Sequence, residues 1–236
     1  MSRSGPSPGQ LARYLRQRGE LGGPELFLGE LNREEALALA SSRKNPDEGR
    51  EVSSGYDALR EEALACQKCS LSRTRRNVVF SDGHSEARVM VVGEAPGAQE
   101  DATGLAFVGP AGKLLDLLLA SVDLARETSA YICNVLKCRP PGNRNPLPGE
   151  IQECTPYLRR QIELISPEVI LAVGTFSGQF LTGKALPLGR LRGEVYSYQG
   201  VPVVVTYHPA ALLRNSGWTQ ATWDDLQLLR QVMDGA

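Results

Sequence analysis

The sequence predicts an α/β fold of three layers, with helices on both faces of a central, mostly parallel sheet. Short apolar runs, which are typical of buried parallel strands, alternate with helical patterns between residues 56 and 236. Polar residues or glycines follow these runs, as expected where strands pass into connecting loops. Ligand sites in such folds lie at the carboxyl ends of the strands, so the residues directly after each run are the first candidates for function.

The elements of this fold are predicted in chain order from periodicity and turn residues. A helix over 56–65 precedes a buried strand over 88–93 and a leucine-rich helix over 109–122. The remaining elements are a strand at 130–134, a helix at 148–165, a strand at 168–174 with Thr175 as the N-cap of a further helix, a hairpin of 195–198 and 201–207, and a closing helix at 223–233 capped by Thr222.

Residues 1–55 are predicted to be an N-terminal extension and linker outside this fold. Short helical patterns at 10–18 and 33–41 are surrounded by proline and glycine. The polar, charged stretch 41–50 is typical of a linker. Residues 56–236 therefore form the functional domain in this prediction.

The composition indicates a soluble protein of the cytoplasm. No apolar run approaches the roughly 20 residues of a membrane helix, and the first residues lack the apolar core of a signal peptide. Five cysteines, an odd number, favour a reducing compartment over a disulfide framework. Because the net charge is −1, a role on nucleic acid has to rest on local chemistry rather than on overall charge.

Three polar residues lie at or just after predicted strand ends: Glu94, Asn134 and His208. A carboxylate could orient water or stabilise a cation, an amide could bind the edge of a base, and an imidazole could be a positioned donor. Each residue also has a purely structural interpretation. Glu94 could belong to a turn with solvated acids, Asn134 could cap a turn, and His208 could have no catalytic role. The shared position at strand ends favours a common site.

Two apolar residues have similarly open interpretations. Phe107 lies on a glycine-rich loop and is either a core aromatic or a ring that stacks on a planar base. Leu213 precedes Arg214 after His208. These two residues are either ordinary helix surface or a wedge that fills a gap in stacked DNA, with a cation for phosphate.

Four cysteines have a spacing that suits a metal centre. Cys66 and Cys69 form a C-x-x-C pair. Cys138 follows Cys69 after 68 intervening residues, and Cys154 follows Cys138 after 15. A structural zinc site usually has two close pairs, whereas iron–sulfur clusters tolerate dispersed thiolates, which favours a four-iron cluster. Cys133 lies within a predicted strand and is expected to be a buried apolar thiol instead.

In this combination the residues resemble the family four uracil-DNA glycosylases, the iron–sulfur members of the uracil-DNA glycosylase superfamily. The resemblance covers about residues 60–233 in order and is carried by Gly93–Gly97, Glu100 with Asp101, Phe107–Gly109, Asn134, Lys137–Pro141 and His208–Arg214. It implies a glycosylase-like fold with a central four-stranded sheet. It also implies a monomeric repair enzyme that acts on uracil in double- or single-stranded DNA.

The resemblance implies a role for each matched residue. The catalytic residues would be Glu94 and His208, and the pocket for the flipped base would involve Gly93, Glu100, Phe107 and Asn134. Leu213 would be the wedge that enters the DNA. Independently of the resemblance, their charge makes Arg214 a candidate cation for phosphate and lets the loop with Lys137, Arg139 and Arg144 offer cations to the DNA backbone. A [4Fe–4S] cluster would be held by Cys66, Cys69, Cys138 and Cys154.

The implied reaction is hydrolysis of the N-glycosidic bond, which releases uracil and leaves an abasic site without cutting the strand. Relatives that lack a carboxylate in the first motif do not fit, because Glu94 is present. Relatives that cross-link covalently to DNA carry a Lys-Arg-Arg-Ile-His insertion, which the loop 139–144 lacks.

Two other functional classes compete with this interpretation. A non-catalytic DNA-binding module held by a metal would keep the cysteines but would not need Glu94, Asn134 and His208 together at strand ends. An α/β hydrolase or a nucleotide-binding enzyme is disfavoured, because residues 56–236 contain neither G-x-S-x-G nor the phosphate-loop pattern G-x-x-x-x-G-K-[ST].

Overall fold

The computed structural model describes the backbone of residues 46–235 and the side chains of residues 55–235. The chain divides into two units between Ser54 and Gly55. Apart from the first residues of the helix that begins at Pro46, the features below belong to the second unit. The helices expected at 10–18 and 33–41 lie outside the described residues. The assignment of residues 1–55 as an extension therefore stays a prediction.

The core of the domain is a six-stranded sheet with the order β1-β3-β2-β4-β6-β5. Its strands are β1 (Asp82–Gly83), β2 (Val89–Gly93), β3 (Ala130–Asn134), β4 (Val169–Val173), β5 (Val195–Tyr198) and β6 (Val201–Thr206). The four central strands run parallel, and β1 and β5 pair antiparallel at the two edges. The expected mostly parallel sheet is confirmed, but it has six strands rather than four, because β1 and β5 extend its two edges. Among the strands, the sequence pattern missed only the two-residue β1.

Helices fill the connections between these strands. The α-helices are α1 (Pro46–Leu64), α2 (Ala98–Thr103), α3 (Pro110–Ala120), α4 (Pro148–Ile165), α5 (Thr175–Thr182), α6 (Leu188–Leu191), α7 (Pro209–Leu212) and α8 (Thr219–Asp234). Short 3-10 helices span Ser70–Arg73, Pro141–Asn143 and Ser216–Trp218. Among the residues that the structure describes, no helix is both long enough and apolar enough to span a bilayer.

The sheet is covered on both faces, which confirms the three-layer architecture. Alternate residues of a strand point to opposite faces, so Val89 and Val91 of β2 pack with α3 and α8, while Met90 and Val92 pack with α4, α5 and α6. A third apolar cluster lies beyond the sheet and joins α1 to α4 and to the segment after β3. This third cluster contains the four cysteines with metal-ligand spacing.

Three details of the sequence prediction are wrong. Helix α1 begins at Pro46, inside the stretch expected to be a linker, because proline is well suited to the first turn of a helix. Thr175 is the first residue of α5 rather than its cap, since Gly174 with φ of 102° makes the turn. Thr222 lies within α8 and donates to the carbonyl of Trp218 at 3.0 Å, because the preceding 3-10 turn runs directly into that helix.

Candidate active site

A cavity of about 810 Å³ lies at the carboxyl ends of the parallel strands. Its lining includes seven residues singled out from the sequence: Glu94, Glu100, Phe107, Asn134, Arg144, His208 and Arg214. The cavity is formed there because β2, β3, β4 and β6 are parallel and in register, so that their ends meet at one edge of the sheet. The structure thus brings together groups that are up to 120 residues apart in the chain.

Gly93 provides the space in which two of these side chains meet. A Cβ atom at this position would lie 2.3 Å from Asn134 Oδ1 and 2.7 Å from Phe107 Cζ. Gly93 is buried and does not line the cavity itself. Its contribution is therefore the absence of a side chain, which lets Asn134 and Phe107 lie across the end of β2.

Asn134 presents an unsatisfied acceptor at the cavity. The residue is only 2% exposed, and its Oδ1 finds no hydrogen-bond partner among the described residues. A buried acceptor without a partner costs about 1–3 kcal/mol, so a ligand that donates to it recovers that free energy. The amide is well placed to bind a planar group that carries both a donor and an acceptor.

Phe107 is held in an unusual backbone conformation next to Asn134. Its φ is 53°, in the left-handed region that bulky residues rarely occupy. Arg126 stabilises this turn by donating to the carbonyl oxygens of Ala106 and Phe107 at 2.9 and 2.8 Å. The Phe107 ring stacks on His208, with 5.5 Å between the ring centroids and 30° between their planes. This conformation presents the ring at the cavity wall.

Glu100 fixes the same loop from the other side. Its Oε1 accepts hydrogen bonds from the backbone N–H groups of Val108 and Gly109, at 3.0 and 2.9 Å. The carboxylate also lies close to Gly97, where a Cβ atom would be 2.7 Å from Oε2. Glu100 thus lines the cavity, and the contacts in this structure are those of a residue that positions the Phe107 loop.

His208 is held as a neutral imidazole. Its Nδ1 accepts a hydrogen bond from the Ala210 N–H at 3.1 Å, which requires the ring proton to be on Nε2. Burial lowers the pKa of His208 to about 4, with a further lowering from Arg214 that Glu100 partly opposes. The ring therefore remains uncharged near neutral pH and keeps its Nε2–H as a donor.

Glu94 directly follows β2, and backbone hydrogen bonds hold this segment against the residues after β3. The N–H groups of Val135 and Leu136 donate to the carbonyl oxygens of Gly93 and Glu94, both at 3.0 Å. The side chain is partly buried, and this burial raises the pKa of its carboxyl. A carboxylate in such a setting can stabilise a cation that forms next to it.

The residues expected to contact DNA differ in how free their side chains are. Leu213 is 55% exposed and does not line the cavity, whereas Arg214 is exposed at its rim. Arg144 donates to both carboxylate oxygens of Glu150, at 2.6 and 2.9 Å, so its charge is partly balanced. Arg139 donates to Asn143 Oδ1 at 2.7 Å within the loop after β3.

Lys137 does not provide a cation for DNA, and that expectation is wrong. Lys137 is only 2% exposed, and its Nζ donates to the backbone carbonyl of Asn134 at 2.6 Å. The backbone N–H of Lys137 donates to Cys154 Sγ at 3.2 Å, and the adjoining segment is buried. The side chain therefore folds back beneath the end of β3. Lys137 thereby links the backbone of Asn134 to the cysteine cluster.

Four cysteines line a second, small cavity: Cys66, Cys69, Cys138 and Cys154. All are free thiols, and Cys133 lies apart from them in the apolar core of the sheet. Burial raises the pKa of the Cys138 thiol, Arg75 opposes the shift, and Cys66 and Cys69 add to it. Burial likewise raises the pKa of Cys154 to about 12. Thiols enclosed in this way suit a metal centre, which stabilises their thiolate forms.

The arrangement of these thiols bears on the kind of metal centre. Within residues 55–235, no three His, Cys, Asp or Glu side chains have the geometry to hold a single metal ion. A zinc site needs its sulfurs to converge at about 2.3 Å from one ion. In a four-iron cluster each thiolate binds a different iron, so four thiols around one cavity fit such a cluster without converging on a point.

Comparison with known proteins places the chain in a family. The model of the Uracil DNA glycosylase superfamily matches residues 80–227. The chain belongs to the uracil-DNA glycosylase superfamily. A type-4 uracil-DNA glycosylase of Archaeoglobus fulgidus is 46% identical over 165 residues, which cover 66% of this chain and 82% of that protein.

Further relatives within the superfamily agree with this membership. A type-4 uracil-DNA glycosylase of Thermotoga maritima is 44% identical over 67% of this chain and 83% of its own length. A type-5 uracil-DNA glycosylase of Pyrobaculum aerophilum is 33% identical over 57% of this chain and 66% of its own length. The identity is thus higher to these type-4 proteins than to the type-5 protein.

Sequence reasoning missed residues that support the site from a distance. Arg126 holds the Phe107 turn, and Arg75 donates to Cys138 Sγ at 3.1 Å. Neither arginine belongs to a recognisable motif, and the partners are 19 and 63 residues away in the chain. No local signal in the sequence could have identified these contacts.

Proposed function

We propose that this protein removes uracil from DNA in base excision repair by hydrolysing the N-glycosidic bond, which leaves an abasic site. The observation that carries the proposal is the unsatisfied Asn134 Oδ1 beside the Phe107 ring and the neutral His208, in one cavity at the strand ends. Membership of the uracil-DNA glycosylase superfamily and the names of the type-4 relatives support it.

Asn134 would select uracil by its hydrogen-bonding pattern. Uracil N3–H can donate to Asn134 Oδ1, and uracil O4 can accept from the Asn134 NH₂ group. Cytosine has an acceptor at N3 and a donor at C4, so both contacts would be mismatched in a buried pocket. The Phe107 ring would stack on the flipped base, and exposed Leu213 would fill the gap in the duplex.

The two catalytic groups would act on opposite charges of the transition state. As the glycosidic bond breaks, negative charge develops on uracil and positive charge on the sugar. The Nε2–H of His208 would donate to uracil O2, and the ionised carboxylate of Glu94 would stabilise the sugar cation and orient the attacking water. Neutral His208 suits this role because it stabilises the anion without needing to be protonated first.

Release of free uracil from a labelled oligonucleotide tests the proposal. We expect the wild type to release uracil and Glu94→Gln to be at least about 100-fold slower, because charge stabilisation of this kind contributes that much. The matched control is Glu86→Gln, which removes an exposed carboxylate and should not change the rate. If the wild type releases no uracil, the protein is not a uracil-DNA glycosylase.

A second part of the proposal is that the enzyme does not cut the DNA strand. Hydrolysis by water needs no amine nucleophile. The buried amine of Lys137 donates a hydrogen bond to the carbonyl of Asn134 and is therefore not free to attack the sugar. Product strands should stay intact on a gel until they are treated with alkali or heat. Strand breaks that form without this treatment would show that an amine attacks the sugar.

We also propose that Cys66, Cys69, Cys138 and Cys154 hold a [4Fe–4S] cluster with a structural role. Their common cavity and the hydrogen bonds from Arg75 and Lys137 to two of the sulfurs support this assignment. Cys138→Ser should lose the brown absorbance and iron content of the purified protein. Cys133→Ser should keep both, and the opposite result would assign the ligand to β3.

The remaining parts of the proposal concern the setting of the reaction. Free thiols at the five cysteines suit the reducing cytoplasm, where the protein would work as a monomer on single- or double-stranded DNA. The non-catalytic DNA-binding module remains the competing class. It is disfavoured because the cavity collects Glu94, Asn134 and His208, which binding of the DNA backbone alone does not require.

A further inference from the structure

An aromatic stack stands beside the wedge segment and has no part in the chemistry described above. The rings of Tyr207 and Trp218 are nearly parallel, with 4.7 Å between their centroids and 5° between their planes. The guanidinium of Arg192 lies over the Tyr207 ring, 4.6 Å from its centroid. A parallel pair of rings with a cation over one of them is a favourable but specific arrangement.

The stack is anchored to the body of the domain. Arg192 Nε donates to Asp225 Oδ2 at 2.6 Å, and a second N–H group donates to the carbonyl of Ala221, both on α8. The Asp225 side chain is 2% exposed, so the ion pair is almost completely enclosed on that side. The rings are therefore held in place before any ligand binds, which lowers the entropy cost of binding.

The outer ring of the stack is accessible at the rim of the cavity. Trp218 is 37% exposed, and both Trp218 and Tyr207 line the same cavity as His208. The Asn215 side chain accepts a hydrogen bond from Gly217 N–H at 3.1 Å and so stabilises the short 3-10 turn that carries Trp218. Exposed Arg214 lines the rim as well.

We propose that Trp218, supported by Tyr207 and Arg192, stacks on a nucleobase next to the flipped uracil and strengthens binding to single-stranded DNA. This inference rests on the proposed function and adds a subsite to it. A partly exposed indole offers a planar, apolar surface, and stacking a base on an aromatic side chain contributes about 1–3 kcal/mol whatever the base. Arg214 at the same rim can bind the adjoining phosphate.

The subsite should matter more for single strands than for duplexes. In a duplex the neighbours of the flipped nucleotide remain stacked and paired in the helix. In a single strand a neighbouring base is free to leave its own stack and lie on Trp218. The loss of about 1–3 kcal/mol corresponds to roughly 5- to 150-fold weaker binding of the single strand.

Tryptophan fluorescence tests the contact directly. The chain contains two tryptophans, so Trp223→Phe leaves Trp218 as the single reporter. Titration with a single-stranded oligonucleotide that carries a tetrahydrofuran abasic analogue in place of the deoxyuridine should quench this fluorescence to saturation. Replacing the nucleotides on both sides by further tetrahydrofuran residues should abolish the quenching. Binding without quenching would overturn the proposal.

Kinetics on two substrates separate stacking from a structural role. Trp218→Ala should raise KM for uracil release from a single strand by roughly 5- to 150-fold and change KM for the duplex much less, and Trp218→Phe should restore most of the loss. Trp223→Ala, which removes the other exposed tryptophan away from the cavity, is the control. Equal losses on both substrates, or no loss on the single strand, would overturn the inference.

Failure of the subsite and failure of the proposed function give different results. If the wild type releases uracil but Trp218 is not quenched, the subsite is absent and the glycosylase function stands. If the wild type releases no uracil, the function fails, and quenching by undamaged single strands still decides whether Trp218 binds a base. If Trp218→Ala does not fold, the quenching titration on Trp223→Phe decides the inference.

Discussion

Glu94 and His208 lie in the same cavity, and burial there opposes the charged form of both side chains. Burial raises the pKa of the Glu94 carboxyl above its usual 4.5, whereas burial and Arg214 lower the pKa of His208 to about 4. Both shifts favour the uncharged form, as burial does in general. Near neutral pH His208 is therefore uncharged. The proposed mechanism requires Glu94 to be ionised beside it.

The pH dependence of uracil release should therefore report Glu94 and not His208. As pH falls, Glu94 gains its proton at a pH above 4.5, and the rate should fall through that pKa. His208 stays neutral until about pH 4, so no inflection near pH 6.5 is expected. In Glu94→Gln, the residual rate of uracil release should not show this fall on the acid side of the pH profile, the acid limb. An unchanged acid limb in that variant would assign the titration to another group.

Lys137 is buried and would not contact the substrate, but its replacement should lower activity through Asn134. Its ammonium donates to the Asn134 carbonyl, and hydrogen bonds to charged groups contribute about 1.5–3 kcal/mol. Lys137→Met should lower kcat/KM for uracil release by about tenfold or more, because Asn134 loses its support. The control Lys113→Met removes an exposed lysine of α3 and should have no effect. Equal activity of both variants would show that Asn134 is held without Lys137.

At the scale of elements, the site depends on how closely the ends of β2 and β3 approach each other. The strands are paired in register up to Gly93 and Asn134, and the backbone bonds continue beyond them to Val135 and Leu136. The Asn134 side chain and the Phe107 ring share the space above Gly93. The end of β2 can therefore not carry a side chain.

Gly93→Ala should test this requirement. The added Cβ would lie 2.3 Å from Asn134 Oδ1 and would displace both the amide and the Phe107 ring, so uracil release should fall by about 100-fold or more. Far-UV circular dichroism should stay unchanged, because β2 tolerates alanine as a strand residue. Gly149→Ala, where a Cβ meets nothing within 4 Å, is the matched control. Full activity of Gly93→Ala would contradict the geometry.

At the scale of the whole domain, the cysteine cavity connects elements that the sheet does not hold together. The third apolar cluster contains Leu59 and Ala63 of α1, Tyr157 of α4 and Leu136 after β3. The same segment after β3 continues into the loop that carries Arg139 and Arg144, and Arg144 lines the active-site cavity. The proposed cluster, bound by the four cysteines, would fix this corner of the domain, including the loop proposed to contact DNA.

Loss of the cluster should therefore lower thermal stability. Cys66→Ser with Cys69→Ser should reduce Tm by several degrees, because a bound metal stabilises the folded state and because α1 would lose its attachment. Cys133→Ala changes a buried thiol outside the cavity and serves as a control that keeps the metal. Thermal unfolding followed by circular dichroism measures the difference. Equal Tm values for the metal-loaded wild type and the double variant would show that the cluster is not a structural element.

The sequence by itself determined five of the six strands, the residues at their ends and the family. Burial on both faces makes parallel strands continuous apolar runs, and this pattern predicts β3 at 130–134 with the bounds that the structure has. Helical periodicity likewise predicts α4 at 148–165 with its observed bounds. The positions of Glu94, Asn134 and His208 followed from the same pattern, since each lies where an apolar run ends. These features are local, and local periodicity and residue type are what a single sequence records.

Only the tertiary structure decided which partners the charged side chains take. Lys137 looked like a cation for DNA but supports Asn134, Arg144 pairs with Glu150, and Glu100 holds the Phe107 loop. Likewise, the stack of Tyr207 on Trp218 and Arg192 depends on the distant Asp225. A side chain's partner is set by how helices and strands pack, and residues far apart in the chain come together only when the sheet has formed.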